Sequence, residues 1–252
     1  MTDNSGKLGL SVDEVLTTTR AVRKRLDLKR PVPRDVLTEC IDIAHQSPTG
    51  SNSQRWRWMI IDDADKRRAI AEIYRTNFEA AYANAEPPEP GSQADRVNQS
   101  AQYLAAHLHE VPVHVIPLLA DRMGEGVPSW RQASRWGGIL PAVWSFMLAL
   151  RERGLGSVWT SLHLQNERDV ADLLGIPYDS YSQAGLFPVA YTLGTDFKRA
   201  KRPPADDFIR WKMGYGDFPS GGAQKSDGDY DNDGDVDGND FLGWQTEFGS
   251  GG

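Results

Sequence analysis

Three basic side chains, Arg20, Arg23 and Lys24, fall within "RAVRKRLD" at spacings of three and four. On a helical turn such residues share a face, so one cationic patch is expected. On charge alone that patch is a solvated surface. The sharper alternative is an anion site, because clustered Arg and Lys give charge-assisted bonds to phosphate. A second cluster, "SPTGSNSQRWRW", sets Pro48, Thr49, Gly50, Ser51, Asn52, Ser53 and Gln54 in a row between a helical and an extended pattern. Small donors and acceptors at this density can meet the edge of a flat polar ring. Equally, Gly50 can end the helix while Ser and Asn make local turn bonds. Trp56 and Trp58 alternate with Arg55 and Arg57, which gives one aromatic face, read as core. Taken alone, "GLGS" at Gly154–Ser157 is a helix stop, and "FKRAKRPP" with Lys198, Arg199, Lys201 and Arg202 is a solvated basic run. There is no Ser-His-Asp order and no carboxylate pair that demands a hydrolase. His107 and His109 could be a metal fragment but read as surface or core residues.

These clusters need elements to hold them. Ser11 is placed to cap a short helix through "VDEVLTTTRAV", and "RPVP" breaks the chain after it. Pro33 opens "PRDVLTECIDIAHQ", with Val36, Leu37, Cys40, Ile41 and Ala44 on one face. "RWRWMIIDD" is a strand, and Asp63 or Asp65 caps the helix "KRRAIAEIYRTNFEAAYAN". After the loop "AEPPEPGSQ" come the helix "ADRVNQSAQYLAAHLHE" and the strand "VPVHVIPLLA". "GGILPAVWSFMLALRERGLG" is a helix, apolar nearly all round from Ile139 to Leu150, hence central or at a subunit interface. Gly154 and Gly156 end it, "SVWTSL" is a strand, "NERDVADLLGIP" a helix and "FPVAYTLGT" a strand. "DFKRAKRPPADDFIRW" is a basic, Pro-broken extension and "PSGGAQKS" a linker. The expected body is α+β, without internal repeats.

The bulk numbers narrow the function classes. Of the 252 residues only Cys40 is a cysteine, so no internal disulfide forms, as suits a reducing compartment. No secretory leader is read in "MTDNSGKLGLSVDEV", and no apolar run reaches about 18 residues, so no spanning helix is expected. Residues 221–252 carry eight acids against Lys225, which accounts for the whole net charge of −7. The remaining body is neutral, with no field built for nucleic acid.

In their order, "RAVRKRLDLKRPVP", "SPTGSNSQRWRW", "LPAVWSFMLALRERGLGSVW" and "GIP...FPVAYTLGTDFKRAKRPP" resemble the FMN-dependent nitroreductase family over residues 15–211. The resemblance implies an α+β fold with a central, mostly antiparallel sheet flanked by helices, a long buried central helix, and a homodimer with FMN at the interface. It implies that Arg20 binds the flavin phosphate and that Lys24 faces flavin N1/O2, with Arg23 as the rival for that role. Val22 stands where a serine is common. Pro48, Thr49, Gly50, Asn52 and Gln54 match the loop against the flavin ring and ribityl chain, and Arg55 replaces the usual Pro. Gly156 matches a backbone contact to the ring; Lys201 and Arg202 match late phosphate contacts. The implied activity is hydride transfer from NAD(P)H through the flavin to an electron-poor acceptor, a nitroaromatic or quinone, with ping-pong kinetics. A flavin carrier or sensor with little turnover is the alternative. The implied setting is cytoplasmic.

The tail is a different object. "DYDNDGDVDGND" places Asp229, Asp231, Asp233, Asp235, Asp237 and Asp240 at calcium-loop positions around Gly234. It resembles a single dockerin repeat, which implies Ca²⁺ and a calcium-dependent protein partner and suits an extracellular setting. The expected division is a flavin domain at 1–219, a linker at 220–228 and the tail at 229–252.

Overall fold

The computed structural model describes residues 6–202. The linker and every Asp of the calcium-loop motif, from Asp229 to Asp240, lie outside the described residues, as do the domain boundaries expected at 219 and 228. By contacts the described chain divides into two units. The first holds residues 6–87 and Val97–Arg199, and the second Pro88–Arg96 with residues 200–202.

The helices are α1 (Val12–Thr18), α2 (Arg34–Ala44), α3 (Ala64–Tyr82), α4 (Gln93–His107), α5 (Ser129–Glu152) and α6 (Glu167–Leu174). The strands are β1 (Trp56–Ile61), β2 (Val113–Leu119), β3 (Leu155–Ser157), β4 (Ser182–Gln183) and β5 (Phe187–Tyr191). They form one sheet of order β1-β2-β5-β3, with β4 beside β2 and every strand pair antiparallel. The expected α+β architecture with a central antiparallel sheet is present.

Alternation along each strand sends side chains to two cores. Trp56, Val113, Val115, Leu119, Phe187 and Val189 meet α2 and α5 on one face. Ile61, Ile116, Leu118, Leu186 and Ala190 meet α3, α4 and α6 on the other. β2 is therefore buried on both faces along its whole length.

Local signals set most ends. Ser11 and Glu14 form a reciprocal capping box at α1, and Asp63 caps α3 through the Lys66 N–H. Gly154 and Gly175 take left-handed φ values of 68° and 69° just past α5 and α6, where a Cβ would be strained.

Four expectations are corrected. Helix α1 stops at Thr18, because the following chain is drawn to the sheet: Ala21 bridges Ser157 and Leu26 bridges Thr192. Arg20, Arg23 and Lys24 thus do not share a helical face. The strand expected at "SVWTSL" lies earlier, at Leu155–Ser157, and puts Gly156 inside a strand rather than at a helix end. Helix α5 begins at Ser129, ahead of the expected glycines. Finally, α5 is not buried all round within one chain. Ile139, Ala142, Val143, Phe146 and Leu150 are buried, while Leu140 and Leu148 are half-buried, Pro141 is exposed and Trp144 is 39% exposed. No described helix is long and apolar enough to cross a membrane.

Candidate functional site

Helix α5 carries a cleft near each end. The C-terminal cleft lies between the chain after α1, the end of α5 and β3, and is lined by Arg20, Val22, Arg151, Gly156 and Ser157. Arg20 is half-buried and makes no hydrogen bond or ion pair within the described residues. The Val22 N–H donates to the Ser157 carbonyl at 2.9 Å, which fixes the backbone beside Arg20. Arg151 is buried, and burial lowers its pKa. Its Nη2 donates to the Thr18 hydroxyl at 3.2 Å and to the Thr195 carbonyl at 3.0 Å, but its Nη1 has no partner among the described residues. The buried Ser157 hydroxyl has none either. A buried donor left unpaired costs about 1–3 kcal/mol. Two such atoms beside an unpaired guanidinium suit an anionic, oxygen-rich ligand, and so fit the phosphate or the polar edge of a flavin nucleotide.

Gly156 has a packing reason to be glycine. A Cβ there would stand 2.7 Å from Thr192 Cγ2 and 3.0 Å from Val22 Cβ. Val22 is buried beneath it, so the position where the family favours serine carries an apolar contact here. Arg23 turns toward α3, near Tyr74 and Tyr82, with its pKa lowered by burial. Lys24 is exposed and unpartnered among the described residues.

The N-terminal cleft lies between the Ser47–Arg55 loop and the first turns of α5. It is a cavity of about 140 Å³ lined by Thr49, Gly50, Ser53, Arg55, Trp56 and Arg135, among others. The loop leaves α2 after His45, and the Ser47 and Ser145 hydroxyls lie 3.1 Å apart, tying it to α5. Ser51, Asn52 and Gln54 all have positive φ, at 54°, 51° and 44°. Three non-glycine residues in the left-handed region within four positions store strain, which gathers at functional sites. The Gln54 N–H donates to Thr49 Oγ1 at 3.2 Å and the Gln54 amide to Asn52 Oδ1 at 3.0 Å, so the loop holds its own shape. Pro48, Gly50, Asn52 and Gln54 are exposed. Trp56 is core, as expected; it stacks on His45 at 6.0 Å, and Trp58 Nε1 donates to His45 Nε2.

The sequence-derived residues therefore fall into separate groups. Arg20, Val22 and Gly156 meet in one cleft, and Thr49 and Gly50 in the other. Gly138 and Arg151, one beside each cleft, are 13 residues apart on α5, about 20 Å along its axis. Lys201 and Arg202 are exposed and belong to the second unit, described by itself. No metal-binding cluster of His, Cys, Asp or Glu exists among the described residues; His107 instead pairs with Glu110 at 2.5 Å. Sequence reading missed Arg151, Ser157 and Asp121. An Arg closing the apolar run Ile139–Leu150 was the available signal for the first. Asp121 meets Arg55, Arg131 and Arg135 from distant parts of the chain and gave no local signal.

The family model described as the nitroreductase family matches residues 16–191. The chain is 25% identical over 198 residues to an iodotyrosine deiodinase of Thermotoga neapolitana, spanning 78% of this chain and 95% of that protein. It is 26% identical over 141 residues to a 5,6-dimethylbenzimidazole synthase of Rhodospirillum rubrum, covering 53% of this chain and 62% of the relative's length. Among solved structures it is similar in fold to an FMN and NADPH-dependent nitroreductase from sphigopyxis sp. strain HMH. There the TM-score is 0.58 and the identity 21%, over 79% of this chain and 97% of that one.

Proposed function

This chain belongs to the nitroreductase family, and from that premise we propose that it is an FMN-dependent oxidoreductase using NAD(P)H to reduce an electron-poor acceptor such as a nitroaromatic or quinone. The observation that carries the reading is the C-terminal cleft, where Arg20, Arg151 Nη1 and Ser157 Oγ offer three donors with no partner among the described residues. Bound flavin supplies the hydride chemistry, and the protein supplies binding, orientation and electrostatics. Arg20 holds the phosphate in this reading. Lys24 rather than Arg23 serves as the cation at N1/O2 in this reading, because Arg23 is half-buried near Tyr74 and Tyr82 whereas Lys24 is exposed and unpartnered among the described residues. A cation there stabilises the negative charge that grows on the ring. Thr49, Gly50, Asn52 and Gln54 supply the polar wall, held by their own hydrogen bonds.

A homodimer follows from the same geometry. Within one chain Gly138 and Arg151, one beside each cleft, are about 20 Å apart along α5, a separation that favours a flavin shared between two chains. Two chains whose α5 helices run antiparallel about a two-fold axis bring the loop of one to the cleft of the other. Leu140, Trp144 and Leu148 recur every four residues as a partly exposed apolar stripe on α5 and suit that contact. The 140 Å³ loop cavity is also small beside the roughly 300–1,000 Å³ usual for a ligand pocket, as half a site would be.

The visible spectrum of the purified protein, with the released cofactor identified by mass, tests the reading. Flavin bands with about one FMN per chain support it; a colourless protein that refuses added FMN overturns it. Bleaching by NADH or NADPH without oxygen then separates a reductase from a flavin carrier.

A further inference from the structure

Asp121 follows β2 at the rim of the loop cavity, and its side chain is only 14% exposed. Three guanidinium groups converge on it: Arg135 Nε at 2.9 Å, Arg131 Nη2 at 3.3 Å and Arg55 Nη1 at 3.6 Å. None of the three has another ion-pair partner among the described residues. One carboxylate against three cations leaves two positive charges in excess. Arg55 and Arg135 both line the cavity, together with Thr49 and Ser51 of the strained loop. The N-terminus of α5 has no side-chain cap, and the positive end of its dipole adds to the same field. Structural ion pairs balance charge; this one is over-supplied, at a concave wall, beside the loop that the flavin reading places against the ring.

We propose that Asp121, Arg55, Arg131 and Arg135 form an anion subsite, and that the acceptor this protein reduces carries a carboxylate or similar small anionic group. Arg55 and Arg135 bind that group. Asp121 is a positioning residue: it holds the guanidinium groups in place and limits their mutual repulsion. The inference rests on the flavin-reductase reading, because that reading puts the acceptor at this loop.

The test uses FMN-loaded protein and two probes of similar size, 4-nitrobenzoate and 4-nitrotoluene, with affinities measured by equilibrium dialysis. The ratio between them cancels any general loss of binding. The anion should bind about tenfold more tightly or better, on the scale of one charge-assisted hydrogen bond, and the preference should shrink with added salt. Arg135→Gln should bring the ratio near one, and Arg135→Lys should keep part of it. Asp121→Asn should move the ratio the other way, since it frees a third positive charge; a merely structural role has no reason to produce opposite signs. An FMN-loaded protein with no preference for the anion overturns the inference alone. A protein that takes up no FMN overturns the flavin reading and the inference with it. The donor is the other source of anionic groups. If Arg135→Gln raises the KM for NADH and NADPH about tenfold and leaves the probe ratio unchanged, the subsite serves the dinucleotide and the acceptor assignment is wrong. If the same substitution splits a dimer, the arginines pair across subunits and the assignment is likewise wrong.

Discussion

Val22 and Gly156 are in such close contact that a Cβ on residue 156 would lie 3.0 Å from the Val22 Cβ. Two accounts of this glycine compete: the family resemblance gives it a backbone contact with flavin, and the structure gives it a packing role. Gly156→Ala should cost about 1–3 kcal/mol in urea unfolding, the usual scale of overpacking. Thr192→Ser deletes the methyl that would stand 2.7 Å away, so the double variant should recover part of the loss. Unchanged stability with lost flavin would return the position to the cofactor.

Arg20 has no partner to lose among the described residues. Arg20→Ala should therefore leave unfolding stability within about 0.5 kcal/mol of the parent, as surface changes usually do. It should weaken FMN retention by about 1.5–3 kcal/mol, the worth of a hydrogen bond to a charged group. Fluorescence titration of released FMN reads the second effect. The same loss at Arg202→Ala would assign the late basic segment to the phosphate. Unchanged affinity in both variants sinks the phosphate assignment.

How far these positions were legible in the sequence depended on whether the determining contacts were local. Ser11 with Glu14, Asp63, Gly154 and Gly175 announce their caps within a few residues, and α2 shows its buried face by period alone. The end of α1 was not legible. Thr19 and Arg20 are ordinary helix formers, and what stops the helix is pairing of Ala21 with Ser157, far along the chain. The same contact carries β3 upstream and hides Gly156 inside it. At the loop, composition marked the site, but Ser51, Asn52 and Gln54 gave no glycine signal for their positive φ. The Asp121 cluster depends on how β1, β2 and α5 are arranged in space, which periodicity within any one of them does not encode.

Acid should destabilise the protein through two histidines. His114 and His163 are buried and their pKa values are pushed down to about 4 from 6.5, chiefly by burial. His114 Nε2 donates to the Leu108 carbonyl at 2.9 Å, whereas His163 has only the Gln183 side chain beside it among the described residues. With folded values below unfolded ones, the unfolded chain binds more protons between pH 6.5 and 4. Stability is thus full above 6.5 and declines as pH falls through that window. Each histidine contributes up to about 3 kcal/mol of the decline. Urea midpoints at pH 7.5, 5.5 and 4.5 read it, and His163→Leu should flatten the curve. A variant with the parent's full acid sensitivity would remove His163 from the account.

The stripe on α5 makes the dimer testable apart from the flavin. Trp144 is 39% exposed and stands between Leu140 and Leu148 on the outward face, away from the buried Val143 and Phe146. A charge there has little to disturb within one chain, so Trp144→Asp should keep the fold, as judged by far-UV circular dichroism and a cooperative urea transition. In a two-fold dimer the same change puts two carboxylates into one apolar contact, where each loses hydration without gaining a partner. The variant should therefore run as a monomer in sedimentation. In the shared-site geometry the monomer should also release FMN. A folded monomer that retains FMN would mean that one chain completes the site, and the shared-site geometry would fall. A variant that remains dimeric with FMN bound would move the interface elsewhere and leave the stripe without a role.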